Sequence, residues 1–164
     1  MRWVTDDLWE GRADWRVITT NLCTRRDGAA VMGRGVARQA ADRFPTLPVF
    51  YGHALRQRYH GLVPFTEFGV LCLPVKRHWS DTADLGIIGA SLTELAEFAA
   101  ERSEEIVRMP VPGVGFGEAD PAAITHLLQI HLGGSDNVVV VARAAGVAAR
   151  YPGSFRAGAR RDRS

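Results

Sequence analysis

Short runs rich in β-branched residues alternate with helical patterns along the chain, and this alternation limits the fold more than any other feature. Four runs predict buried strands, at residues 16–21, 68–75, 105–111 and 137–142, and MRWVT is a candidate edge strand. Amphipathic spacing predicts helices at residues 35–43, 48–58 and 83–101, and a further helix capped by Asp120 at residues 121–131. The alternation predicts an α/β protein, a three-layer α/β/α sandwich around a mixed, largely parallel sheet.

The composition fits a single domain with a sizeable core, since the chain has 164 residues of which 46% are apolar. We expect a globular domain over residues 1–150 and a basic, disordered tail over residues 151–164, which ends in RAGARRDRS. No apolar run is long enough to span a membrane and no signal-like leader is present, so a cytoplasmic protein is expected. Neither a CxxC pair nor a metal-binding histidine spacing occurs, so we expect no disulfide, metal or cofactor.

Lys76 is the only lysine among the 20 Lys and Arg residues. An arginine stays protonated in proteins, whereas a lysine can lose its proton and act as a nucleophile or base. A lysine in so arginine-rich a chain is therefore a candidate catalytic amine, although its survival by chance remains the alternative.

Three loops follow predicted strands and meet at the carboxyl edge of the sheet, where α/β proteins bind their ligands. Two of them, DGAAVMGRG and PGVGFGEAD, are rich in glycine and lead into predicted helices, and KRHW lies between them in the chain. Helix amino termini favour anions, so the two facing loops suit a diphosphate, with purely structural glycines as the alternative. The Lys and Ser/Thr of a P-loop are missing, which argues against nucleoside triphosphate hydrolysis, and without a GxGxxG motif a nicotinamide dehydrogenase is unsupported.

VITTN, DGAAVMGRGVARQAADRFP, LPVKRHW and MPVPGVGFG follow one another in this order, and together they resemble the ADP-ribose-binding macrodomain family. The similarity runs from about residue 7 to residue 143. Within the family, the pairing of VMGRG with PVKRHW most resembles the branch of DNA ADP-ribosyl glycohydrolase antitoxins and terminal ADP-ribose protein glycohydrolases.

The resemblance implies a role for each matching residue. It implies that Asp7, or Asp6 in the adjacent register, contacts the adenine amino group, that Asn21 orients the distal ribose, and that Lys76 is catalytic. Lys76 would act as a neutral nucleophile or as a charged group that stabilises the leaving group, and both roles stay open. It also implies that two loops enclose the diphosphate. The matching residues of the first loop are Gly28, Val31, Met32, Gly33 and Gly35. Those of the second loop are Gly113, Val114, Gly115, Phe116 and Gly117.

The second loop departs from the pattern of the branch. It reads GVGFGEADP where the antitoxins carry a loop like GCGNGGLDW, and the catalytic acid of the protein-acting relatives falls at Ala119, between Glu118 and Asp120. The resemblance implies ADP-ribose binding and hydrolysis of ADP-ribosyl linkages, with DNA favoured over protein as the modified partner. The alternatives are a non-catalytic ADP-ribose reader and a phosphatase acting on ADP-ribose 1″-phosphate.

Overall fold

The structure, a computed structural model, describes residues 1–142, so the predicted tail and the end of the predicted domain at residue 150 lie outside the described residues. Strands and helices alternate as the sequence predicts. The strands are β1 (Arg2–Thr5), β2 (Trp15–Asn21), β3 (Val63–Phe65), β4 (Val70–Lys76), β5 (Val107–Pro110) and β6 (Val138–Ala142). The helices are α1 (Gly35–Arg43), α2 (Leu47–Arg56), α3 (Leu85–Glu101) and α4 (Pro121–Leu132).

The six strands form one sheet in the order β1-β6-β5-β2-β4-β3. Every neighbouring pair is parallel except β3 with β4, which confirms the prediction of a mixed, largely parallel sheet. The first strand lies at one edge beside β6, as MRWVT predicts. Because β2, β4, β5 and β6 run in the same direction, their carboxyl ends open onto a single edge.

Helices cover both faces of the sheet, which gives the predicted three layers. On β4, Leu71, Leu73 and Val75 face the core formed with α3 and α4, whereas Val70 and Cys72 face the core formed with α1 and α2. Both faces of this strand are therefore buried, which explains why it has a continuous apolar run instead of an alternating pattern.

Several element boundaries differ from the predicted ones, for identifiable local reasons. The predicted strand at 68–75 begins two residues later, because Thr66–Phe68 forms a 3-10 turn. The helix predicted from residue 83 begins at Leu85, where the Asp84 side chain accepts hydrogen bonds from two backbone amides. The sequence prediction missed β3, a three-residue edge strand that contains Pro64. Within residues 1–142, none of the helices is long and apolar enough to cross a membrane.

Candidate functional site

A cavity of about 390 Å³ opens at the carboxyl ends of β6, β5, β2 and β4. Its volume is within the range of about 300–1,000 Å³ that is usual for small-molecule sites. Three strand spacings separate β6 from β4, so the cavity follows the sheet edge for roughly 14 Å. An elongated ligand therefore fits this site better than a compact one.

The first loop forms one wall of the cavity and ends at an open helix terminus. Gly33, Arg34, Gly35 and Val36 line the cavity, and no side chain caps the first turn of α1. The amide groups of that turn and the positive end of the helix dipole therefore face the cavity and favour an anionic group there.

Asn21 holds this loop in place from the end of β2. Its Nδ2 donates a 3.0 Å hydrogen bond to the carbonyl of Val31, and its Oδ1 accepts one of 2.9 Å from the amide of Cys23. Both Asn21 and Val31, two of the predicted ligand-binding residues, line the cavity. Beneath them, the hydroxyl groups of Thr20 and Tyr51 share a buried hydrogen bond of 2.9 Å.

Gly28 and Met32 also belong to the first loop, but the structure places both behind the cavity wall. The backbone at Gly28 packs against the guanidinium group of Arg56, and a Cβ atom at Gly52 on α2 would lie only 2.1 Å from the Gly28 carbonyl oxygen. The Met32 side chain is buried in the core between the sheet and the first two helices. These residues support the loop, and neither lines the cavity.

The second loop forms the opposite wall through a short 3-10 turn, Gly115–Gly117. Gly113, Val114, Phe116 and Gly117 line the cavity, whereas Gly115 does not. The helix that follows this loop is capped by Asp120, as the sequence predicts. The carboxylate of Asp120 accepts a 2.9 Å hydrogen bond from the amide of Ala123 and so caps α4, and no residue of α4 lines the cavity.

Phe116 joins the two loops across the cavity. Phe116 is 63% exposed, and the guanidinium carbon of Arg34 lies 5.3 Å from its ring centroid. Such a contact is a weak cation–π interaction at an exposed site.

The acidic residues of the second loop lie outside the cavity wall. Glu118 is exposed in a left-handed backbone conformation with φ 52°, and the neighbouring residue 119 is an alanine. Because Asp120 is used as the helix cap, none of the three described residues 118–120 brings a carboxylate to the cavity.

Lys76 ends β4 and lines the cavity beside Asn21. These two residues are register partners across β2 and β4, after a shift in the pairing at Asn21. The amine Nζ donates a 3.0 Å hydrogen bond to the carbonyl of Asp81, and the carboxylate of Asp81 accepts one of 3.0 Å from the amide of His78. The loop after β4 therefore folds back to hold the lysine, and the exposed ring of Trp79 completes this end of the cavity.

Asp6 and Asp7 line the opposite end of the cavity. The carboxylate of Asp6 accepts a 2.7 Å hydrogen bond from the buried guanidinium group of Arg108, which also donates to the Asp7 carbonyl at 3.0 Å. The hydrogen bond from Arg108 is the main cause that lowers the pKa of Asp6. The carboxylate of Asp7 accepts a 2.9 Å hydrogen bond from the amide of Trp9.

The sequence analysis missed Arg108, although a signal was present. Arg108 lies inside the predicted buried strand EIVRMPV and is 5% exposed. A charged residue in a buried strand requires a partner. Gln39, which also lines the cavity, carried no comparable signal.

Neither cysteine forms a disulfide. Cys72 is fully buried, and desolvation raises the pKa of its thiol, which disfavours the reactive thiolate. Within residues 1–142, no group of three or more His, Cys, Asp or Glu side chains is arranged to hold a metal ion.

No family model matches the chain, and no curated protein matches its sequence. Solved structures do match its fold. The macrodomain of Mycobacterium tuberculosis DarG is 22% identical with a TM-score of 0.72, and the match covers 87% of this chain and 97% of that one. The macrodomain of Thermus aquaticus DarG is also 22% identical, with a TM-score of 0.71 and the same coverage.

A third match is Thermosipho africanus DarTG, whose structure contains ADP-ribose. It is 20% identical with a TM-score of 0.71, and the match covers 88% of this chain and 41% of that chain. Identities at this level establish the fold. The resemblance inferred from the sequence motifs is therefore confirmed for the architecture, and the chain has the macrodomain fold.

Proposed function

We propose that this protein binds ADP-ribose in the cavity and hydrolyses ADP-ribosyl linkages, with Lys76 as the catalytic residue and nucleic acid as the modified partner. One observation carries the proposal. The lone lysine of the chain and an uncapped helix terminus lie on one elongated cavity at the carboxyl edge of a macrodomain fold.

The cavity suggests how the ligand would lie. The adenine would occupy the end formed by Asp6 and Asp7, and the diphosphate would lie at the open terminus of α1, between the two glycine-rich loops. The distal ribose would then reach Asn21 and Lys76, which are register partners on adjacent strands. The roughly 14 Å along the sheet edge suits a ligand of this extended form.

Lys76 is the candidate for the chemical step. Hydrolysis breaks the glycosidic bond at the anomeric carbon of the ribose, water supplies the new hydroxyl group, and the leaving group receives a proton. The second loop brings no carboxylate to the cavity, so Lys76 is the ionisable side chain at this end that could assist. Its partner, the Asp81 carbonyl, accepts a hydrogen bond from either an amine or an ammonium group, so both protonation roles are compatible with the geometry.

The surface beside Lys76 supports nucleic acid as the modified partner. Arg77 is exposed, and its carbonyl accepts a 3.0 Å hydrogen bond from the amide of Leu22, which places it next to the first loop. Arg77 and His60 line a second hollow of about 200 Å³, which Glu94 also lines. Arg26 is exposed on the first loop, and the half-exposed Trp79 lies two residues after Arg77 in the loop that follows β4. Exposed arginines near aromatic rings are typical of surfaces that bind single-stranded nucleic acid.

The test is a single-turnover assay on a DNA oligonucleotide ADP-ribosylated on thymidine, with release of free ADP-ribose followed by mass spectrometry. We expect the wild type to release ADP-ribose and Lys76→Ala to be slower by about 100-fold or more, with affinity for ADP-ribose nearly unchanged. Arg38→Ala is the matched control, because Arg38 is exposed on α1, pairs with Asp42 and lies outside the cavity. Equal release by wild type and Lys76→Ala would contradict the catalytic assignment.

Lys76→Arg separates the two protonation roles in the same assay. Arginine keeps the positive charge but cannot become a neutral nucleophile. Partial activity in Lys76→Arg would indicate that a charged group stabilises the leaving group. A loss as large as that of Lys76→Ala would indicate a nucleophile.

A non-catalytic ADP-ribose reader is the second candidate. The position of the relatives' acid holds Ala119, and the neighbouring Asp120 caps α4. A reader would bind ADP-ribose in calorimetry, would release none from DNA, and would keep its affinity in Lys76→Ala. A protein-directed hydrolase would release ADP-ribose from a modified protein and not from the oligonucleotide.

A further inference from the structure

Gln39 has an amide group whose orientation is set by the protein. The side chain lines the cavity from α1, and its Oε1 accepts a 2.8 Å hydrogen bond from the indole Nε1 of Trp9. An indole N–H can only donate, so the carbonyl oxygen of Gln39 must face it. The amide NH₂ is therefore fixed in the other position, and within residues 1–142 this group has no hydrogen-bond partner.

Trp9 is itself held firmly. The guanidinium carbon of Arg43 lies 4.1 Å from its ring centroid, and the ring of Phe44 packs at 6.3 Å. The backbone amide of Trp9 donates to the carboxylate of Asp7, so Trp9 links Asp7 to Gln39 directly. A hydrogen-bond donor and a pair of carboxylates are thus placed together at one end of the cavity.

We propose that Gln39 is a specificity-determining residue, which donates from Nε2 to N1 or N7 of the adenine ring while a carboxylate of the Asp6–Asp7 turn accepts from the 6-amino group. This inference rests on the proposed function, which supplies the adenine nucleotide. Adenine presents a donor at its 6-amino group and an acceptor at each flanking nitrogen. Guanine presents an oxygen at position 6, which a carboxylate repels, so the pair would select adenine.

The test measures whether Gln39 and a ring nitrogen depend on each other. Calorimetry would use ADP-ribose and its 1-deaza and 7-deaza counterparts, each of which lacks one accepting nitrogen. Gln39→Glu keeps an oxygen for Trp9 and removes the NH₂ donor. The wild type should bind one of the two analogues about 10-fold more weakly than ADP-ribose, the usual effect of one lost hydrogen bond to a buried partner.

Gln39→Glu should weaken ADP-ribose binding by a similar factor and should no longer distinguish ADP-ribose from that analogue. The comparison between ligands cancels the effect of the added charge on the diphosphate, which all three share. Gln129→Glu, an exposed substitution on α4, is the matched control and should keep the wild-type preference. Trp9→Phe keeps an aromatic ring but removes the indole N–H that holds the Gln39 side-chain amide. This substitution should therefore reduce the preference for ADP-ribose over the weaker analogue.

The outcomes separate this inference from the proposed function. If the wild type binds both analogues as tightly as it binds ADP-ribose, Gln39 does not donate to a ring nitrogen. That result would overturn this inference and leave the proposed function standing. Equal weakening of all three ligands by Gln39→Glu would overturn it in the same way. A wild type that binds none of the three would overturn the proposed function together with the inference.

Discussion

The two ends of the cavity are constructed in different ways. At the aspartate end, Arg108 contacts Asp6 across 102 positions of the chain, and Trp9 contacts Gln39 across 30. At the lysine end, the hydrogen bond of Lys76 reaches only 5 positions ahead, and that of His78 only 3. The side chains at the aspartate end are thus held by distant partners, whereas the Lys76 side chain is held by its own loop, which the Leu22 amide in turn ties to the first loop.

This difference fits a division of labour between the two ends. A base-recognition site gains from rigid partners, because a donor and an acceptor discriminate only when they are held in place. A site that acts on a large modified substrate must remain accessible, and the loop from Arg77 to Asp81 is exposed throughout. The comparison predicts that loss of the buried partner Arg108 at the aspartate end lowers stability, and that substitutions in the loop that holds Lys76 alter function with little effect on stability.

Arg108→Leu should have the largest effect. It removes a buried guanidinium group and its hydrogen bonds to Asp6 and to the Asp7 carbonyl. We expect the free energy of unfolding to fall by about 2–3 kcal/mol, since each hydrogen bond to a charged group is worth about 1.5–3 kcal/mol and the buried leucine side chain recovers part of the loss. Urea denaturation would measure the free energy of unfolding, with Arg38→Leu, a substitution of an exposed arginine, as the control. A loss as small as that of the control would remove the contrast between the two ends.

Asp81→Ala tests the lysine end. The substitution removes the carboxylate that accepts from the His78 amide but keeps the carbonyl that holds Lys76. We expect release of ADP-ribose to slow by roughly 10-fold as the lysine loses its fixed position, while the free energy of unfolding changes by less than about 1 kcal/mol. Asp42→Ala on α1 is the matched control. A large loss of stability would show that this loop is coupled to the core after all.

Arg77→Ala should act on the macromolecular substrate and not on the nucleotide. If Arg77 contacts a phosphate, affinity for the modified oligonucleotide should fall a few-fold and the salt dependence of binding should become shallower by about one unit of slope. Affinity for free ADP-ribose should not change, because Arg77 lies outside the main cavity. Fluorescence anisotropy at several salt concentrations would measure the affinity for each ligand. An equal loss of affinity for the oligonucleotide and for ADP-ribose would place Arg77 in the nucleotide site.

The smallest effect should be the change with pH in the contribution of Asp6 to the free energy of unfolding. The pKa of Asp6 is lowered from its ordinary value of 3.8, so its ionised form is favoured by folding. Its stabilising contribution is therefore present above pH 3.8 and is lost as the pH falls through the lowered value. Denaturation of wild type and Asp6→Asn between neutral pH and pH 3 should show a stability difference that shrinks at the acid end. A difference independent of pH would contradict the ion pair.

Local patterns were sufficient to predict much of the fold. The bounds of α1 match the prediction, because glycine precedes the helix and a proline follows it closely. The cap of α4 was also predictable from Asp120 and Pro121. Tertiary contacts were not predictable in this way, so the edge strand β3 and the partners of Arg108 became visible only in the folded chain.

The candidate site was predictable in composition but not in arrangement. Motif positions brought Asn21, Lys76, Gly33 and Gly35 to one cavity, as the topology required. The same motif included Gly28 and Met32, which lie behind the cavity wall: Gly28 packs closely against α2, and the Met32 side chain is buried in the core. The fixed amide of Gln39 depends on a contact with a distant tryptophan, and no local pattern predicts such a contact.

Gly52 has a consequence for anyone who wishes to redesign this protein. It lies on α2, outside the cavity, yet a methyl group there would meet the backbone of the first loop at Gly28 and Ala30. A library restricted to cavity residues would miss it. Enlarging this one residue would force the first loop and α2 apart, so the wall of the cavity is sensitive to a helix position that does not line it.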